Sequence, residues 1–498
     1  MREYVYICRK SCFVMKIAPR ILAVALLLSG LSAYGQQAKQ TLSFDEALAA
    51  ALQNNPALEA AVYEEKAAMQ ERRAAIGLRM PQINLSGAYA YLGKDIGLDL
   101  NDKKGALKGA AETILGSGVV PPEMIPTISG LINPLFSADW KLTLQDRSLG
   151  FIGGEVTLPL YLGGKINTAN RAARINEQTA VEQSNQTRNA LVSELVERYF
   201  GLTLARQVVE VRQQVVDGVR RHLEDAEALE KSGMIAHSEL LYVQFKMTEA
   251  ERELQNARLL AETVASALNN TLGEETACQP VTSMFILDEL EGVAYYQDLA
   301  RKYSPLLNQV SLKRKLAEEG VKLQRSAFLP QVAAMGGAMF YNYQVSGLVP
   351  RWAVGVGVNF KLFDGLNREY KYSAARHTAR RVGALEQKAG QDIAVLVEKL
   401  YNQMENYRNQ MASIDASLDF ASEYLKVQNA AFLAGMASSS ELIDAELNLA
   451  KVRTERLQAA YNYDLMLARL LEAAGVSDEF ASYIRRPDAR QVLFVREK

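Results

Sequence analysis

The stretch LPLYLGGKINTANRAAR occupies residues 158–174, and the stretch FKLFDGLNREYKYSAAR occupies residues 360–376. Each begins as a short apolar run of the kind that forms strands, turns at a glycine (Gly163 or Gly365), and continues as a long run of helix-forming residues. The pattern predicts a strand that turns into a helix at two places in one chain. Two such corners indicate that the chain repeats itself.

The repeat extends well beyond these corners. At a constant offset of 202 residues, the matches continue over 118 residues without a gap. They include Gly233-Met234 with Gly435-Met436, and Ser238-Glu239-Leu240 with Ser440-Glu441-Leu442. Upstream the offset becomes 249, where MPQINL at 80–85 matches LPQVAA at 329–334. The chain is therefore an internal duplication whose first copy holds 47 extra residues.

Each copy is predicted to hold two strands followed by two long helices. The first copy covers residues 36–287, with strands at about 81–92 and 150–162 and helices at 165–231 and 238–271. The second copy covers residues 288–478, with strands at about 330–343 and 352–362 and helices at 367–433 and 440–473. A 25-residue helix that starts at Pro56 or Pro305 precedes each strand pair. An insertion at about 93–148 and a C-terminal tail at 479–498 complete the plan.

The predicted strands alternate between two kinds of side chain. In WAVGVGVNFKL (352–362), one face carries Trp352, Val354, Val356, Val358, Phe360 and Leu362. The other face carries small and polar residues such as Gly355 and Asn359. This pattern fits a barrel strand with lipid on one side and water on the other. It fits the half-buried sheet of a soluble protein equally well.

The long helices separate these two interpretations. The segments 165–231 and 367–433 each contain 67 residues and no proline. At about 1.5 Å per residue, each helix would be roughly 100 Å long, which exceeds the size of a globular domain. Leu400, Met404, Tyr407 and Met411 begin a run of apolar residues spaced four and three apart, which is typical of a coiled coil.

The number of strands bears on assembly. Four strands per chain cannot close a barrel, and open sheet edges are not tolerated in lipid. Several chains must then share one barrel, and three chains would give twelve strands with a lumen inside. The same threefold symmetry would arrange the helices of three chains as a tunnel. The predicted fold is an α+β membrane protein with a duplicated β-hairpin and long coiled-coil helical hairpins.

The N-terminus predicts export. Lys16 and Arg20 precede the apolar run ILAVALLLSGL at 21–31, and small residues at Ala33 and Gly35 follow it. This order is typical of a secretory signal peptide, which we place at residues 1–35. The alternative is a buried first helix. Removal of the segment would also remove Cys8 and Cys12 and leave Cys278 as the single cysteine, so no disulfide could form within the mature chain.

Composition and motifs argue against several classes of function. A net charge of −1 and a pI of about 6.4 provide no basic surface for nucleic acid. His222, His237 and His377 have no metal-ligand spacing, and we interpret them as surface histidines. The sequence contains no P-loop, dinucleotide fingerprint or nucleophile elbow. We therefore expect no cofactor, no metal and no enzymatic activity.

The duplicated corners and the two turns GMIAHSELL (233–241) and GMASSSELI (435–443) resemble those of the TolC family of outer-membrane efflux channels. The resemblance covers residues 41–478. It implies a homotrimer whose twelve-stranded β-barrel crosses the outer membrane lipid and continues into the periplasm as a twelve-helix α-barrel. It also implies an exit duct that is served by a periplasmic adaptor (membrane-fusion) protein and an inner-membrane pump of the RND or ABC type.

The resemblance implies a role for the glycine turns. In that family the turn between the long and the shorter helix forms the periplasmic tip and meets the adaptor. The residues of this chain that match are Gly233, Met234, Gly435 and Met436. We expect these four residues to form the docking turns.

The resemblance also implies a periplasmic gate of acidic residues. Glu441 and Asp444 lie six and nine positions after Gly435, and Glu239 is the corresponding residue of the first copy. Three copies of such carboxylates around a narrow pore would attract cations and repel one another. The alternative is that Glu239 and Glu441 serve the start of a helix, Glu441 as the partner of Ser438 in a capping box, and that Asp444 is solvated.

Two positions near this gate depart from the family. Where the family has an arginine two residues after the second glycine, this chain has Ala437. Where the family has a tyrosine three residues before that glycine, this chain has Phe432. The usual polar links from these positions to neighbouring helices cannot form, which puts closure of the gate by those links in doubt.

Other functions compatible with the sequence are a channel for type I protein secretion, a soluble periplasmic coiled-coil scaffold and a secreted adhesin-like rod. A scaffold has no need of aromatic-rich hairpins that face lipid. The insertion at 93–148 is small for the binding head of an adhesin. We expect the insertion to lie outside the cell, where it acts either as a lid over the exit or as a surface loop.

Overall fold

The computed structural model describes residues 40–273 and 278–494. The predicted signal peptide at 1–35 lies outside these residues. The helices are α1 (Phe44–Asn54), α2 (Pro56–Gly77), α3 (Asn101–Gly116), α4 (Ile125–Ser137), α5 (Lys165–Lys231), α6 (His237–Leu272), α7 (Val293–Tyr303), α8 (Pro305–Ser326), α9 (Asn367–Leu433), α10 (Ser439–Ala474) and α11 (Phe480–Ile484). The strands are β1 (Gln40–Leu42), β2 (Gln82–Tyr91), β3 (Ile96–Asp99), β4 (Lys141–Gln145), β5 (Ser148–Leu162), β6 (Cys278–Pro280), β7 (Met284–Leu287), β8 (Gln331–Tyr343), β9 (Trp352–Asn359) and β10 (Ala489–Val492).

The chain forms two compact units that do not coincide with the two sequence repeats. The sheet unit consists of Ala67–Gln178 and Leu312–Ala384. The helical unit consists of the described residues up to Lys66, within Thr179–Ser311, and from Leu385 onward. Each unit therefore takes segments from both copies of the duplication. Among the described residues, no helix is both long enough and apolar enough to cross a membrane.

The sheet unit is built on one antiparallel sheet in the order β2-β5-β8-β9. Strand β9 ends at Asn359, three residues before the predicted end at 362. The reason lies in its partner strand. Asn359 pairs with Gln331, and the next residue of that partner would be Pro330, which has no N–H to donate to the ladder.

Helices α2 and α8 end earlier than predicted. Each has 22 residues rather than 25. After Gly77, the chain tightens into i→i−3 hydrogen bonds, such as Met80 N–H to the Gly77 carbonyl at 2.9 Å. After Ser326, the Leu329 N–H likewise donates to the Ser326 carbonyl at 3.2 Å. A proline follows each tightened turn and disfavours the helical conformation of the residue before it.

The insertion at 93–148 is an ordered element. Strands β3 and β4 pair as an antiparallel ladder, and helices α3 and α4 lie between them in sequence. The Asn101 side chain ties the two ends together, because it donates to an Asp139 carboxylate oxygen at 2.6 Å and accepts from the Trp140 N–H at 3.1 Å. The Trp140 indole N–H donates to the Leu135 carbonyl at 3.0 Å.

The core of the helical unit contains a cluster of aromatic rings. The ring of Phe44 contacts the rings of Tyr199, Phe200 and Phe480 at centroid distances of 5.5, 5.6 and 5.3 Å. The buried Tyr199 hydroxyl donates to the Leu42 carbonyl at 2.7 Å. Such a hydrogen bond satisfies a polar group that would otherwise be costly to bury.

The C-terminal tail, predicted at 479–498 and described up to residue 494, contributes to this core. Helix α11 brings Phe480 into the aromatic cluster, and β10 pairs antiparallel with β7, with Ala489 opposite Leu287. Strand β1 pairs in parallel with β6. None of these short elements was expected from the sequence. Their side chains pack in the same buried cluster as those of α10.

Candidate functional site

The two glycine turns have the same geometry. Gly233 and Gly435 end helices α5 and α9 with φ angles of +73° and +70°, in the left-handed region. The next N–H reaches back over the last turn, from Met234 to Leu229 at 2.9 Å and from Met436 to Ala431 at 2.8 Å. This is the Schellman pattern, in which a residue with positive φ satisfies the last carbonyls of a helix. The space around both glycines is open, so conformation rather than crowding requires glycine.

The turns present a methionine to solvent. Met234 is 71% exposed and Met436 is 79% exposed. Methionine is apolar and flexible, so a methionine exposed at a turn adapts readily to a partner surface. The structure thus brings the predicted docking residues into two equivalent exposed turns. No residue of the described chain covers either methionine.

The acidic residues near the second turn differ in their contacts. Glu441 caps α10, since its carboxylate accepts from the Ser438 N–H at 2.8 Å while the Ser438 hydroxyl accepts from the Glu441 N–H at 3.3 Å. The capping box that the sequence offered as an alternative role is therefore formed. Asp444 lies one turn further along and is exposed. Its charge contributes to raising the pKa of Lys246, after the larger effect of the hydrogen bond from Lys246 to Glu249.

The first copy lacks this cap. Helix α6 begins after Ala236, whose side chain cannot accept a hydrogen bond, and Glu239 lies half-buried in the first turn. The negative charge of Glu239 acts on His222, which belongs to α5. The two acidic residues that correspond in sequence thus have different surroundings. Glu441 is held by its own helix start, whereas Glu239 faces another helix.

His222 is buried, so its interpretation as a surface histidine is wrong. Only 5% of the residue is exposed, and its ring meets the ring of Phe432 edge-on at a centroid distance of 4.4 Å and an angle of 76°. His237 and His377 are exposed, as expected. The missed signal was the coiled-coil spacing, because steps of three and four from Val215 lead to Gly218 and then to His222.

Phe432 is buried against that histidine and is only 4% exposed. Its carbonyl accepts the Gly435 N–H at 2.9 Å, so it belongs to the turn itself. Ala437, the other departure from the family pattern, is half-buried in the same turn. Among the residues that the structure describes, no cluster of three or more His, Cys, Asp or Glu side chains could hold a metal ion.

The sheet unit exposes an apolar face. Trp352 is 68% exposed and Val354 is 77% exposed, and Val356 and Val358 continue the same face of β9. Apolar and aromatic side chains of β2 are exposed as well: Ile83, Leu85, Tyr89 and Tyr91. A contiguous apolar surface of this kind is typical of a protein or membrane contact.

Comparison with known proteins relates the chain to outer-membrane proteins. Residues 143–274 and 297–476 match the family described as outer membrane efflux protein. A curated relative is the alkaline protease secretion protein AprF of Pseudomonas aeruginosa, which is 23% identical over 305 residues. That match spans 58% of this chain and 62% of the relative, which is less than two thirds of its length.

Solved structures of outer-membrane proteins have a similar fold. The outer membrane protein VceC of Vibrio cholerae superimposes with a TM-score of 0.66 at 15% identity, covering 87% of this chain and 96% of that one. The CmeC outer membrane channel of Campylobacter jejuni gives a TM-score of 0.67 at 14% identity, covering 89% of this chain and 88% of that one. The family match covers more than half of the chain. The chain therefore belongs to the outer membrane efflux protein family and is located in the outer membrane, with an extension into the periplasm.

Proposed function

We propose that this chain is the outer-membrane exit duct of a tripartite efflux or export system. It would pass substrate from an inner-membrane pump of the RND or ABC type, through a periplasmic adaptor protein, to the cell exterior. The observation that supports this most strongly is the exposed apolar face of the sheet, where Trp352 and Val354 point away from any core. Lipid would cover such a face, whereas water would not stabilise it.

The duct would be a homotrimer. In the sheet order β2-β5-β8-β9, strands β2 and β9 each have one neighbour among the described strands. An open edge leaves N–H and C=O groups unpaired, which is costly in lipid. Pairing of β2 of one copy with β9 of the next would satisfy both edges. Three copies would give a twelve-stranded barrel with a lumen, continued by a twelve-helix α-barrel.

Asp444, with Glu441 and Glu239, would form the gate of this duct at the periplasmic end. Asp444 is the strongest candidate because it is exposed, whereas the Glu441 carboxylate is engaged in its cap. The turns at Gly233-Met234 and Gly435-Met436 would dock the adaptor, and their exposed methionines support this role. Neither role requires catalysis, and the chain would not be an enzyme.

A second candidate is a channel for type I protein secretion. The relative AprF is named for the secretion of alkaline protease, and this observation favours protein cargo for the duct. In efflux and in protein secretion, the same duct would be served by different inner-membrane pumps. Cargo therefore has to be measured rather than inferred from the duct.

One experiment tests the function and separates the two kinds of cargo. Deletion of the gene from its native host should raise the accumulation of small toxic compounds if the duct serves efflux, or remove specific proteins from the medium if it serves secretion. The full chain supplied in trans should restore transport. A chain lacking residues 1–35 is the matched control and should not restore it. Unchanged accumulation and an unchanged set of secreted proteins would contradict the proposal.

A further inference from the structure

The histidine buried near the second glycine turn lacks a polar partner. Neither ring nitrogen of His222 has a hydrogen-bond partner among the described residues, although the side chain is 95% buried by the protein. A neutral imidazole still carries one N–H donor and one acceptor. Leaving both unpaired in a protein interior costs free energy, so the position calls for an explanation beyond packing.

The contacts of His222 connect it to the turn that ends α9. Its ring packs edge-on against Phe432, and the Phe432 carbonyl accepts the N–H of Gly435. A small apolar cluster of Ala226, Leu240, Val243 and Ile443 lies at the same end of the helices. The His222–Phe432 contact is therefore a direct link between α5 and the last turn of α9.

Charged groups surround this link on every helix packed against it. A cavity of about 380 Å³ is lined by Arg221, His222 and Asp225 of α5, Lys426 of α9 and Glu446 of α10. The carboxylate of Glu446 lies over Gly218, where an added Cβ would come within 2.8 Å of it. Glu239 of α6 also acts on His222. Of these charged groups, Asp225 and Glu239 act on the imidazole, whereas Arg221, Lys426 and Glu446 line the same cavity.

These surroundings set the protonation of His222. Burial lowers the pKa of its imidazole below the ordinary value, and this effect outweighs the opposing attraction of Asp225 and Glu239. The packed ring is therefore neutral at neutral pH. A protonated ring would need water or a carboxylate, which the apolar contact with Phe432 does not supply.

We propose that His222 and Phe432 form a proton-sensitive latch that holds the end of α9 against α5. In its neutral form, His222 keeps the Gly435 turn packed. Protonation moves the ring toward Asp225, Glu239 or solvent and releases that turn. His222 is thus a positioning residue of the gate, and this role rests on the proposed function as an exit duct. The latch is a means of closure that does not need the polar links absent at Phe432 and Ala437.

The direction of the pH effect follows from the sign of the shift. Because the pKa is lowered in the packed state, that state binds fewer protons than the released state. The latch is then complete above the ordinary histidine value of about 6.5, and it weakens as the pH falls below it. If one proton binds per chain, the ratio of released to packed states should rise by up to about tenfold for each unit by which the pH falls.

The test compares the parent with His222→Phe in planar bilayers between pH 8 and pH 5. The parent should open increasingly as the pH falls, while His222→Phe, which keeps a ring against Phe432 but cannot titrate, should stay closed and independent of pH. His237→Gln and His377→Gln remove exposed histidines and should keep the parental profile. A parental profile in His222→Phe, or a flat profile in the parent, would overturn the latch while leaving a conducting duct intact.

A second measurement does not depend on conductance. Amide exchange at Gly435 and Met436, corrected for the intrinsic effect of pH, reports the opening of the turn. It should increase at pH 5 in the parent and not in His222→Phe. Exchange that is equal in both proteins would overturn the latch. Protein that never conducts at any pH, yet shows the pH-dependent exchange, would contradict the exit duct and leave the latch in place.

Discussion

At the residue scale, the acidic side chains near the two glycine turns differ in the contacts that they make. Glu441 is engaged with the backbone of Ser438, Glu239 is half-buried and faces His222, and Asp444 is exposed on α10. Glu441 is exposed as well, but its carboxylate already accepts a hydrogen bond from the Ser438 backbone, which limits its movement toward a passing ion. Asp444 is therefore the residue at which the gate proposal is most directly tested.

Asp444→Asn removes the charge and keeps the size of the side chain. If three copies of Asp444 line a constriction, the variant should lose most of the block that multivalent cations produce, because the ring of negative charge that attracts them is gone. Single-channel recordings with a trivalent cation on the periplasmic side measure this block. The matched control is Asp419→Asn, which removes an exposed carboxylate from a different helix, α9. This variant should be blocked like the parent. Equal block in all three proteins would show that Asp444 is a solvated helix residue.

The glycines of the turns allow a separate prediction. Replacing both Gly233 and Gly435 by valine should abolish transport, because a β-branched residue does not tolerate the positive φ of these turns. The trimer and its insertion in the membrane should be unaffected. The control is Gly383→Val with Gly390→Val, two positions within α9 where an added side chain meets open space. Normal transport in the turn variant would place adaptor docking elsewhere.

At the element scale, the long helices could be predicted and the short elements could not. The 67 residues of α5 and of α9 are free of proline and carry a local, repeated apolar pattern, which a sequence shows directly. Strand β10 has four residues and pairs with β7, about two hundred positions earlier in the chain. Such a strand is stabilised by a partner that is distant in sequence, so its own residues carry little signal.

The candidate site likewise contains residues that could be predicted from the sequence and residues that could not. The turns at Gly233 and Gly435 could be found because glycine at a helix end has a local cause. The burial of His222 depends on Phe432, which belongs to another helix. The coiled-coil spacing, had it been extended from Val215, would have placed His222 on the packed face, yet spacing alone does not show which ring it meets. The polar isolation of the imidazole follows only from the full set of neighbours.

The sequence left open whether the insertion at 93–148 forms a lid or a surface loop, and the structure gives it strands and helices of its own. Helix α4 contains no charged residue, and several of its apolar side chains are exposed, including Leu131 and Leu135. A helix of this composition is stabilised by contact with another surface. If three copies of α4 meet over the exit, each would cover the apolar side chains of the next.

Deletion of residues 104–136 tests this role. If the insertions narrow the exit, the deletion should raise single-channel conductance, because the narrowest section of the passage sets its resistance. The residues that join the ends of the insertion, Asn101, Asp139 and Trp140, remain in the shortened chain. Trimer yield is the control and should not fall. An unchanged conductance with normal trimers would show that the insertions stand clear of the pore.

At the scale of the whole molecule, the proposed duct requires that several chains share one barrel. Each unit of the chain draws on both copies of the duplication, so the copies do not fold as independent halves. The sheet of one chain has four strands and two edges, and β2 and β9 form those edges. A membrane-inserted single chain would expose both edges to lipid, which is the arrangement that membrane proteins avoid.

The mass of the particle extracted from outer membranes tests this claim most directly. Protein solubilised in a mild detergent should elute as one species whose protein mass, measured by multi-angle light scattering, corresponds to three chains. The same sample after heat denaturation is the control and should give the mass of one chain. A folded, membrane-derived particle that contains a single chain would contradict the shared barrel and, with it, the exit duct.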